Sequence, residues 1–589
     1  MAKHKNHFEK KSAPLSGIGL KWRMRAAEED LSRRLAESTG CFPETARILV
    51  SRGIAGIKAF RDFLYPTLQG LPHPDGVQDL PKAADRILLA MERQEKILIF
   101  GDYDADGITA TVLLYSFLSR FYPHVFFYLP HREKEGYGLG IEQVTAFSKK
   151  GIRLIITVDC GITSHGAVEE AGKRGLDVIV TDHHRPGNTL PEACAVVDPG
   201  REDCASGLDY LAGVGVSFYL AMAIRTKLRE KGFWQKMPEP RLIEESDLVA
   251  LGTVADLVPL TGINRILVRE GILQMRKNPR PGIEALCRVA GLSFGEMSSE
   301  HIAYRIAPRI NAAGRMAHPE IAAQLLLAPS VETAMPLAME LDKLNAARQL
   351  EENRILEEIE SSLQRKPERL SREVLIFHGK DWPLGTIGIA ASRLVKKFHR
   401  PVILISIRQG LGFASARSIP GFDLYRALDH CKDYLEQFGG HGMAAGFRIL
   451  PEKISPLEES MCAFAAAFRD IIGFPPPLYV DAPLSLDAAT PKLLEEIETI
   501  GPFGMENPLP LFVAENLDVI HQRPLGKDEA HRRLVLRQMH SPSGRTVQGV
   551  IFQAGKDARI PGRLSTCIFH LRKAWGKSDE VEIQIEGWE

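Results

Sequence analysis

The sequence predicts an α/β protein in which two α/β lobes are joined by a long helix and followed by a C-terminal β-barrel of the OB-fold type. Three patterns indicate this architecture. Short apolar strands alternate with helical segments over residues 96–197 and again over 372–450, which is typical of sheets covered by helices. Apolar residues recur at near-helical spacing from 336 to 365. About five short strands with polar turns occupy the last hundred residues.

We predict five consecutive segments along the chain. They are a partly disordered leader (1–44), a first lobe with a helical insert (45–335), a connecting helix (336–366), a second lobe (367–455) and the barrel (470–589). The leader is basic but lacks the apolar core of a signal peptide. As a helix, the connecting segment spans ~45 Å and is long enough to link the two lobes. The alternative is a helix that packs along a single domain. A sandwich is the alternative to the barrel.

Composition limits the functions that this chain can have. It has 589 residues, of which 44% are hydrophobic and 25% charged, and its formal net charge is zero. Such a chain has no overall basic field, so any nucleic-acid site must be a local patch. No apolar run reaches membrane-spanning length. The eight cysteines include no C-x-x-C pair, which favours reduced thiols in a cytoplasm over a structural zinc site.

Three aspartates follow the first strand of the first lobe, Ile97–Phe100, at every second position. Asp102, Asp104 and Asp106 thus occupy the turn between the carboxyl end of a strand and a helix, where open α/β sheets bind ligands. Carboxylates this close raise one another's pKa unless a divalent cation such as Mg²⁺ or Mn²⁺ is bound. An EF-hand is excluded because Leu113 stands where a calcium loop needs Glu.

Similar ligand groups follow the predicted strands at 153–158 (Asp159) and 177–181 (Asp182, His183 and His184) and one apolar segment (Asp256). Because parallel strands present their carboxyl ends at one edge of a sheet, we expect these groups to lie close together. Such a set suits two divalent ions roughly 3.5–4 Å apart, bridged by one carboxylate. A single Asp of this kind is more often a turn or cap residue, so the metal interpretation depends on their joint occurrence at three strand ends.

These stretches resemble the motifs of the DHH phosphoesterase superfamily, and within it the branch of single-strand-specific exonucleases. The matching stretches are Gly101–Gly107 (GDYDADG), Val158–Gly161 (VDCG), Asp182–His184 (DHH), Leu211–Gly215 (LAGVG), Gly252–Leu260 (GTVADLVPL) and Pro308–Arg315 (PRINAAGR). Gly439–Phe447 (GGHGMAAGF) resembles the DHHA1 domain, and Gly501–Gly504 (GPFG) with the later strands resembles the OB domain of these exonucleases. The resemblance runs from about residue 45 to the C-terminus.

The resemblance implies a role for each candidate residue. The metal ligands that it implies for two Mn²⁺ or Mg²⁺ ions are Asp102, Asp104, Asp106, Asp159, His183 and Asp256. Asp159 is expected to bridge the ions, Asp182 to orient an imidazole, and His184 to lie near the scissile phosphate. The expected substrate-binding residues are Arg132, Arg309, Asn311, Ser415, Arg417, Gly440 and His441. Arg132, Ser415 and Arg417 match positions that hold a terminal 5′-phosphate. For Arg309 and Asn311, a phosphate contact and a structural contact both remain open.

The function that the resemblance implies is a 5′→3′ exonuclease of bacterial cytoplasm. It would degrade single-stranded DNA to 5′-mononucleotides by two-metal-ion hydrolysis in recombination, mismatch repair and base excision repair. The implied partners are a single-stranded-DNA-binding protein and a RecQ-type helicase, with no membrane. One alternative is a phosphodiesterase of the same superfamily for short oligoribonucleotides or cyclic dinucleotides, although those relatives are shorter and lack an OB region. Another is a non-catalytic DNA-binding scaffold derived from these enzymes, which would be expected to have lost metal ligands.

Overall fold

The structure is a computed structural model that describes residues 21–473, 476–526, 529–555, 560–574 and 580–589. These residues form two bodies. The α/β body contains residues 70–473 and 504–506, and the barrel body contains residues 21–69, 476–503, 507–526, 529–555, 560–574 and 580–589. No helix in the described part of the chain is long and apolar enough to cross a membrane. All eight cysteines are free thiols.

The N-terminal region departs from the predicted leader. Residues 1–20 lie outside the described residues, but residues 21–69 form part of the barrel body. Their elements are β1 (Trp22–Met24), α1 (Glu29–Thr39), α2 (Pro43–Ser51) and α3 (Ile57–Leu64). Leu35, Ile48, Leu49 and Phe60 from these helices join the same apolar core as Phe512 of the barrel. Residues 45–69 therefore do not belong to the first lobe, because their amphipathic faces are buried elsewhere.

The first lobe contains a five-stranded, all-parallel sheet. Its elements are α4 (Leu80–Glu92), β2 (Lys96–Phe100), α5 (Ala105–Ser119), β3 (Val125–Tyr128), α6 (Ile141–Lys149), β4 (Ile152–Val158), α7 (His165–Lys173), β5 (Asp177–Thr181) and β6 (Ala195–Val197). The strand order is β3-β2-β4-β5-β6. The order reverses between β2 and β4, and in doubly wound sheets ligands bind at such a switch point.

Helices complete the first lobe and link it to the second. They are α8 (Gly213–Glu230), α9 (Ser246–Ala255), α10 (Gly262–Lys277), α11 (Pro281–Ala290), α12 (Ser299–His301), the π-helical turn Ile302–Ile306, α13 (Ala307–Met316), α14 (Glu320–Leu327) and α15 (Val331–Arg365). The 35 residues of α15 span about 52 Å. Because α15 contacts α11, α13 and α14 on one side and α16 (Leu384–Phe398) on the other, it links the lobes rather than packing along only one.

The second lobe contains a mixed sheet with the order β10-β11-β9-β8-β7. Besides α16, its elements are β7 (Leu375–Lys380), β8 (Val402–Arg408), β9 (Leu411–Arg417), α17 (Leu424–His430), β10 (Gln437–His441), β11 (Ala444–Ile449) and α18 (Ile454–Ala465). Only β7 and β8 pair in parallel; the remaining pairs are antiparallel. Separate apolar clusters fill the two sides of this sheet.

The barrel body confirms the OB-type prediction and excludes a sandwich. Its C-terminal elements are β12 (Leu478–Val480), β13 (Ala482–Pro483), α19 (Pro491–Ile500), β14 (Phe512–Leu525), β15 (His531–Gln538), β16 (Thr546–Ile551), β17 (Arg563–Lys573) and β18 (Val581–Trp588). Strands β14-β15-β16-β18-β17 form a ring that β14 and β17 close by pairing with each other. A bulge between Val519 and His521 interrupts the long strand β14, and such bulges let a strand bend around a barrel.

Candidate metal centre

The turn after β2 fixes the three predicted aspartates through backbone contacts. Asp104 caps α5, where its Oδ1 accepts hydrogen bonds from the N–H groups of Asp106 (3.0 Å) and Gly107 (3.1 Å). Asp106 is buried in the first turn of α5, and its two oxygens accept from Gly213 N (2.6 Å) and Val214 N (3.0 Å) at the start of α8. Helix N-termini favour negative charge, and these backbone contacts hold the two carboxylates in fixed positions close together.

The carboxyl ends of β4 and β5 bring the next two groups to the same place. Asp159 is buried with a left-handed φ of 60°. Its Oδ1 lies 3.1 Å from Nε2 of His183. Among the residues that the structure describes, neither of these two atoms has a hydrogen-bond partner, and the same holds for the buried Oδ1 of Asp102. Three orphaned donor atoms that face one space are the pattern expected of cation ligands.

The predicted ligands, together with His184, form three groups in which the donor atoms lie within 4.8 Å of one another. The groups are Asp102 with Asp104 and Asp159, Asp106 with His183 and Asp256, and Asp159 with His183 and His184. Carboxylate oxygens with a neutral imidazole form a donor set that suits Mn²⁺ and Mg²⁺. Asp159 and His183 each occur in two of these groups. The residues therefore fit the two-ion centre that the sequence predicts.

The shifted pKa values of these side chains also favour a site for divalent cations. Burial, with repulsion from Asp104, raises the pKa of Asp106 to about 7, and burial with repulsion from Asp106 raises the pKa of Asp256 to about 9. Burial and neighbouring carboxylates likewise raise the pKa of Asp159 well above its usual range. Burial, together with the charge of His184, lowers the pKa of His183 to about 4. A neutral imidazole among crowded carboxylates is the state that binds a divalent cation.

Asp182 holds His184 rather than pointing at the metal ligands. One oxygen, Oδ1, lies 2.8 Å from Nδ1 of His184 and accepts from the backbone N–H groups of both histidines, while Oδ2 accepts from Ile162 N (2.9 Å). Burial opposes ionisation of both partners, yet their hydrogen bond lowers the pKa of Asp182 and raises that of His184 to about 9. The half-exposed imidazole of His184 is thus oriented and protonated at neutral pH.

The sequence analysis missed Tyr137, whose hydroxyl lies 3.1 Å from Nδ1 of His184 and 3.3 Å from the carbonyl oxygen of Asp159. Both neighbouring residues, Gly136 and Gly138, have φ of 81°. Glycines on both sides of an aromatic residue let the loop turn so that the ring reaches His184. The Gly-Tyr-Gly sequence at 136–138 was the pattern from which this residue could have been predicted.

Three arginines form a cationic cluster beside the carboxylates. The guanidinium group of Arg132 stacks 4.8 Å over the ring of Tyr103. Arg315, which the sequence analysis also missed, donates to the carbonyl of Gly385 (2.8 Å). Burial lowers the pKa of Arg315 to about 10, and repulsion from Arg132 and Arg417 adds to this effect. Mutually repelling arginines at partly buried positions require an anion, and phosphate matches their geometry.

Ser415 and Arg417 lie on strand β9 and face the helix α16. Arg417 donates to Ser415 Oγ (3.2 Å). Its pKa is lowered by burial and by repulsion from Arg132, on the first lobe. A Cβ atom added to Gly388 of α16 would lie 2.9 Å from both Arg417 and Ser415. A larger residue at 388 would therefore force these two side chains to move, a constraint that the linear sequence does not reveal.

Gly440 and His441 lie in the hairpin formed by β10 and β11. Gly440 has φ of 133°, and a Cβ there would lie 2.5 Å from the carbonyl oxygen of Ala444, so the hairpin requires glycine. Burial lowers the pKa of His441, and the charges of Arg417 and His184 add to this effect. His441 is therefore close to both the arginine cluster and the metal centre.

The structure favours the structural alternative for Arg309 and Asn311. The guanidinium group of Arg309 pairs with Asp342 of α15 at 2.7 Å and donates to the carbonyl of Arg305. The side-chain oxygen of Asn311 accepts from the N–H of Ala105 (2.8 Å) and so supports the turn that carries Asp104. Both side chains therefore make structural contacts within the fold.

Three known domains match the chain. Residues 96–253 match the DHH family N-terminal domain, residues 371–467 the DHHA1 domain, and residues 480–587 the RecJ OB domain. The single-stranded-DNA-specific exonuclease RecJ of Bacillus subtilis is 34% identical over 94% of this chain and 70% of its own length. The RecJ exonuclease of Dickeya dadantii is 36% identical over 86% of this chain and 88% of its own length.

Solved structures extend this similarity to the fold. The crystal structure of RecJ from Thermus thermophilus in complex with Mn²⁺ has a TM-score of 0.80 and 30% identity, and the match covers 97% of this chain and 79% of that one. The crystal structure of RecJ from the same organism in complex with Mg²⁺ has a TM-score of 0.73 and 28% identity. That match covers 97% of this chain and 78% of the other chain. Since the similarity includes both lobes and the barrel, the chain belongs to the RecJ family of single-stranded-DNA-specific exonucleases.

Proposed function

We propose that the protein is a 5′→3′ exonuclease that degrades single-stranded DNA to 5′-mononucleotides with Mn²⁺ or Mg²⁺ as cofactor. The observation that carries this proposal is the set of orphaned donor atoms on Asp102, Asp159 and His183 next to a cluster of three arginines. A two-metal centre hydrolyses phosphodiesters, and the arginines supply a separate site for a further phosphate. Family membership supports the choice of single-stranded DNA as substrate.

We assign the metal ions to Asp102, Asp104, Asp106, Asp159, His183 and Asp256. Divalent ions bound there stabilise negative charge on the phosphate oxygens and lower the pKa of a bound water. His184 is assigned to the scissile phosphate, since Asp182 keeps its imidazole protonated and oriented. Tyr137 limits the rotation of that imidazole through its hydroxyl contact.

Polarity requires recognition of one strand end, because a metal centre alone does not distinguish 5′ from 3′. We assign the terminal 5′-phosphate to Arg132, Ser415 and Arg417. A terminal phosphate carries up to about two negative charges near neutral pH, more than an internal linkage, and a guanidinium binds it with two parallel hydrogen bonds. Arg315 interacts electrostatically with Arg132, Arg417 and Asp104, so we assign it to the adjacent backbone phosphate.

The barrel is proposed to bind the strand without taking part in the chemistry. Within the described residues it carries no cluster of metal-ligating groups, but it exposes Phe552 and Ile520, and aromatic platforms stack on unpaired bases.

We also propose a cellular setting for this activity. The protein is proposed to act in recombination and repair in a bacterial cytoplasm, with a single-stranded-DNA-binding protein and a RecQ-type helicase as partners. The free cysteines support a reducing compartment.

End-labelled oligonucleotides test the reaction and its direction. With Mn²⁺, a 5′-labelled single strand should release labelled mononucleotide at once, while a 3′-labelled strand should give a ladder of intermediates. A blunt duplex should resist, and chelation with EDTA should stop the reaction. The opposite label pattern would contradict the polarity. Preferential cleavage of cyclic dinucleotides or short oligoribonucleotides would favour the phosphodiesterase alternative.

The 5′-phosphate assignment has its own test. Arg417→Ala should reduce the rate on 5′-phosphorylated strands and shrink their advantage over matched 5′-hydroxyl strands. Arg417→Lys should recover only part of this advantage, because lysine supplies charge without the planar fork. Arg426→Ala is the matched control, since Arg426 is exposed on α17 of the same lobe. An unchanged phosphate-to-hydroxyl rate ratio in Arg417→Ala would remove Arg417 from the 5′-end site.

A further inference from the structure

We infer that Asn264 is a positioning residue that fixes the loop carrying Asp256 relative to a second loop, which supports other ligands of the metal centre. The inference rests on the proposed metal assignment of Asp106, His183 and Asp256. Asn264 lies in the first turn of α10 and is fully buried. Its side-chain amide donates to the carbonyl of Tyr210 (2.7 Å) and to the carbonyl of Pro259 (3.0 Å). One buried side chain thus joins two separate loops.

The first loop connects α9 to α10 and begins with Asp256. Leu257, the next residue, has φ of 61°, a left-handed conformation that is unfavourable for leucine. Its side chain is 65% exposed, so burial of that side chain does not offset the strain. Such a conformation persists only where its surroundings hold it. The hydrogen bond from Asn264 to the carbonyl of Pro259 supplies that restraint three residues after Asp256.

The second loop leads from Tyr210 to the start of α8. Gly213, three residues after Tyr210, donates its N–H to Asp106 Oδ2 (2.6 Å). The backbone of Leu211, in the same loop, interacts with the His183 side chain and favours its protonated form. A shift of this loop would therefore move the supports of two proposed ligands. Because Asn264 bonds both loops, it fixes the position of Asp256 relative to Asp106 and His183.

The chemistry of position 264 requires an amide. Both amide hydrogens are used, which also fixes the orientation of the group. Among the described residues, its side-chain oxygen has no hydrogen-bond partner. A buried acceptor without a partner destabilises a fold, so stability alone does not account for this residue. A carboxylate at the same position would repel both carbonyls that the amide now binds.

The test compares the same substitution at two places on one helix. Asn264→Asp removes both donors without a change in size. Asn278→Asp is the control, because Asn278 is exposed at the end of α10. The Mn²⁺ dissociation constant is measured from the electron paramagnetic resonance of free Mn²⁺. We expect about 10–100-fold weaker binding for Asn264→Asp and no change for the control. The affinity for single-stranded DNA in EDTA should stay within about twofold in both variants, since no contact with DNA is proposed for Asn264.

A second variant, Asn264→Ser, removes the bridge without adding a charge. It should also weaken Mn²⁺ binding, because a serine hydroxyl is too short to reach both carbonyls. If either variant folds, as judged by its thermal transition, and binds Mn²⁺ as tightly as the unaltered protein, the inference is wrong. If both variants fail to fold, Asn264 serves folding rather than the metal centre, and the inference is also wrong. Absence of Mn²⁺ binding by the unaltered protein would instead refute the proposed function.

Discussion

Replacement of Gly388 by alanine should selectively weaken recognition of the 5′-phosphate. The new Cβ atom would lie 2.9 Å from both the guanidinium group of Arg417 and the hydroxyl of Ser415. Ordinary contacts of this kind are 3.4–4 Å, so these two groups must move by about 0.5–1 Å. Misplacement of a positioning group by about 1 Å costs up to roughly 100-fold in rate. We therefore expect the rate on 5′-phosphorylated strands to fall by about tenfold or more.

The assay is the initial rate on matched 5′-phosphate and 5′-hydroxyl strands. The hydroxyl strand should lose less than about threefold, because it never used the charge-assisted contact, which is worth about 1.5–3 kcal/mol. Gly172→Ala is the matched control: Gly172 lies in helix α7, and a Cβ there meets nothing within 4 Å. Alanine in a helix interior is favourable by about 0.5–1 kcal/mol, so neither variant should lose thermal stability through its backbone. Equal rate losses on both strands, or none, would refute the packing argument.

Three further predictions concern the metal centre and the barrel. Asp159→Ala should abolish cleavage while leaving the fold intact, because it removes the carboxylate shared by two ligand groups; turnover within about tenfold of the unaltered enzyme would exclude the bridging role. Mn²⁺ should raise the melting temperature of the protein more at pH 8 than at pH 6. The pKa values of Asp106 (about 7) and Asp256 (about 9) are raised, so protons compete with Mn²⁺ for these carboxylates at the lower pH. An equal rise in melting temperature at both pH values would contradict this prediction. Phe552→Ala should weaken single-strand affinity in EDTA by about 1 kcal/mol or more without lowering the rate at saturating substrate, whereas an unchanged affinity would remove Phe552 from the binding surface.

The sequence predicted the strands and the acidic centre well because both depend on local patterns. A buried parallel strand is a continuous apolar run, and the runs at 97–100, 153–158 and 177–181 became β2, β4 and β5 with shifts of at most one residue at their starts and ends. The ligand groups lie directly after these runs, so the strand assignment also located the chemistry. The switch point between β2 and β4 then brings Asp102 and Asp159 together.

The residues that sequence reasoning missed act across elements that are distant in the chain. Gly388 matters because strand β9 carries Arg417 over it, and Asn264 matters because Tyr210 and Pro259 approach it from two loops. Neither residue has a charge or a local pattern that indicates its partner. The leader was misassigned for the same reason: α1 to α3 have ordinary amphipathic faces, and only the fold shows that these faces join the core of the barrel body.

The segment Gly504–Glu506 affects how the barrel's contribution can be measured. Although it lies in the C-terminal part of the chain, it packs with the α/β body. The carbonyl of Met505 accepts a hydrogen bond from Leu260 N (2.9 Å), four residues after Asp256. A truncation before residue 476 would therefore remove a restraint on the loop of a proposed metal ligand together with the barrel. Lost activity in such a truncation would combine two causes, whereas Phe552→Ala leaves Met505 in place and isolates the contribution of strand binding.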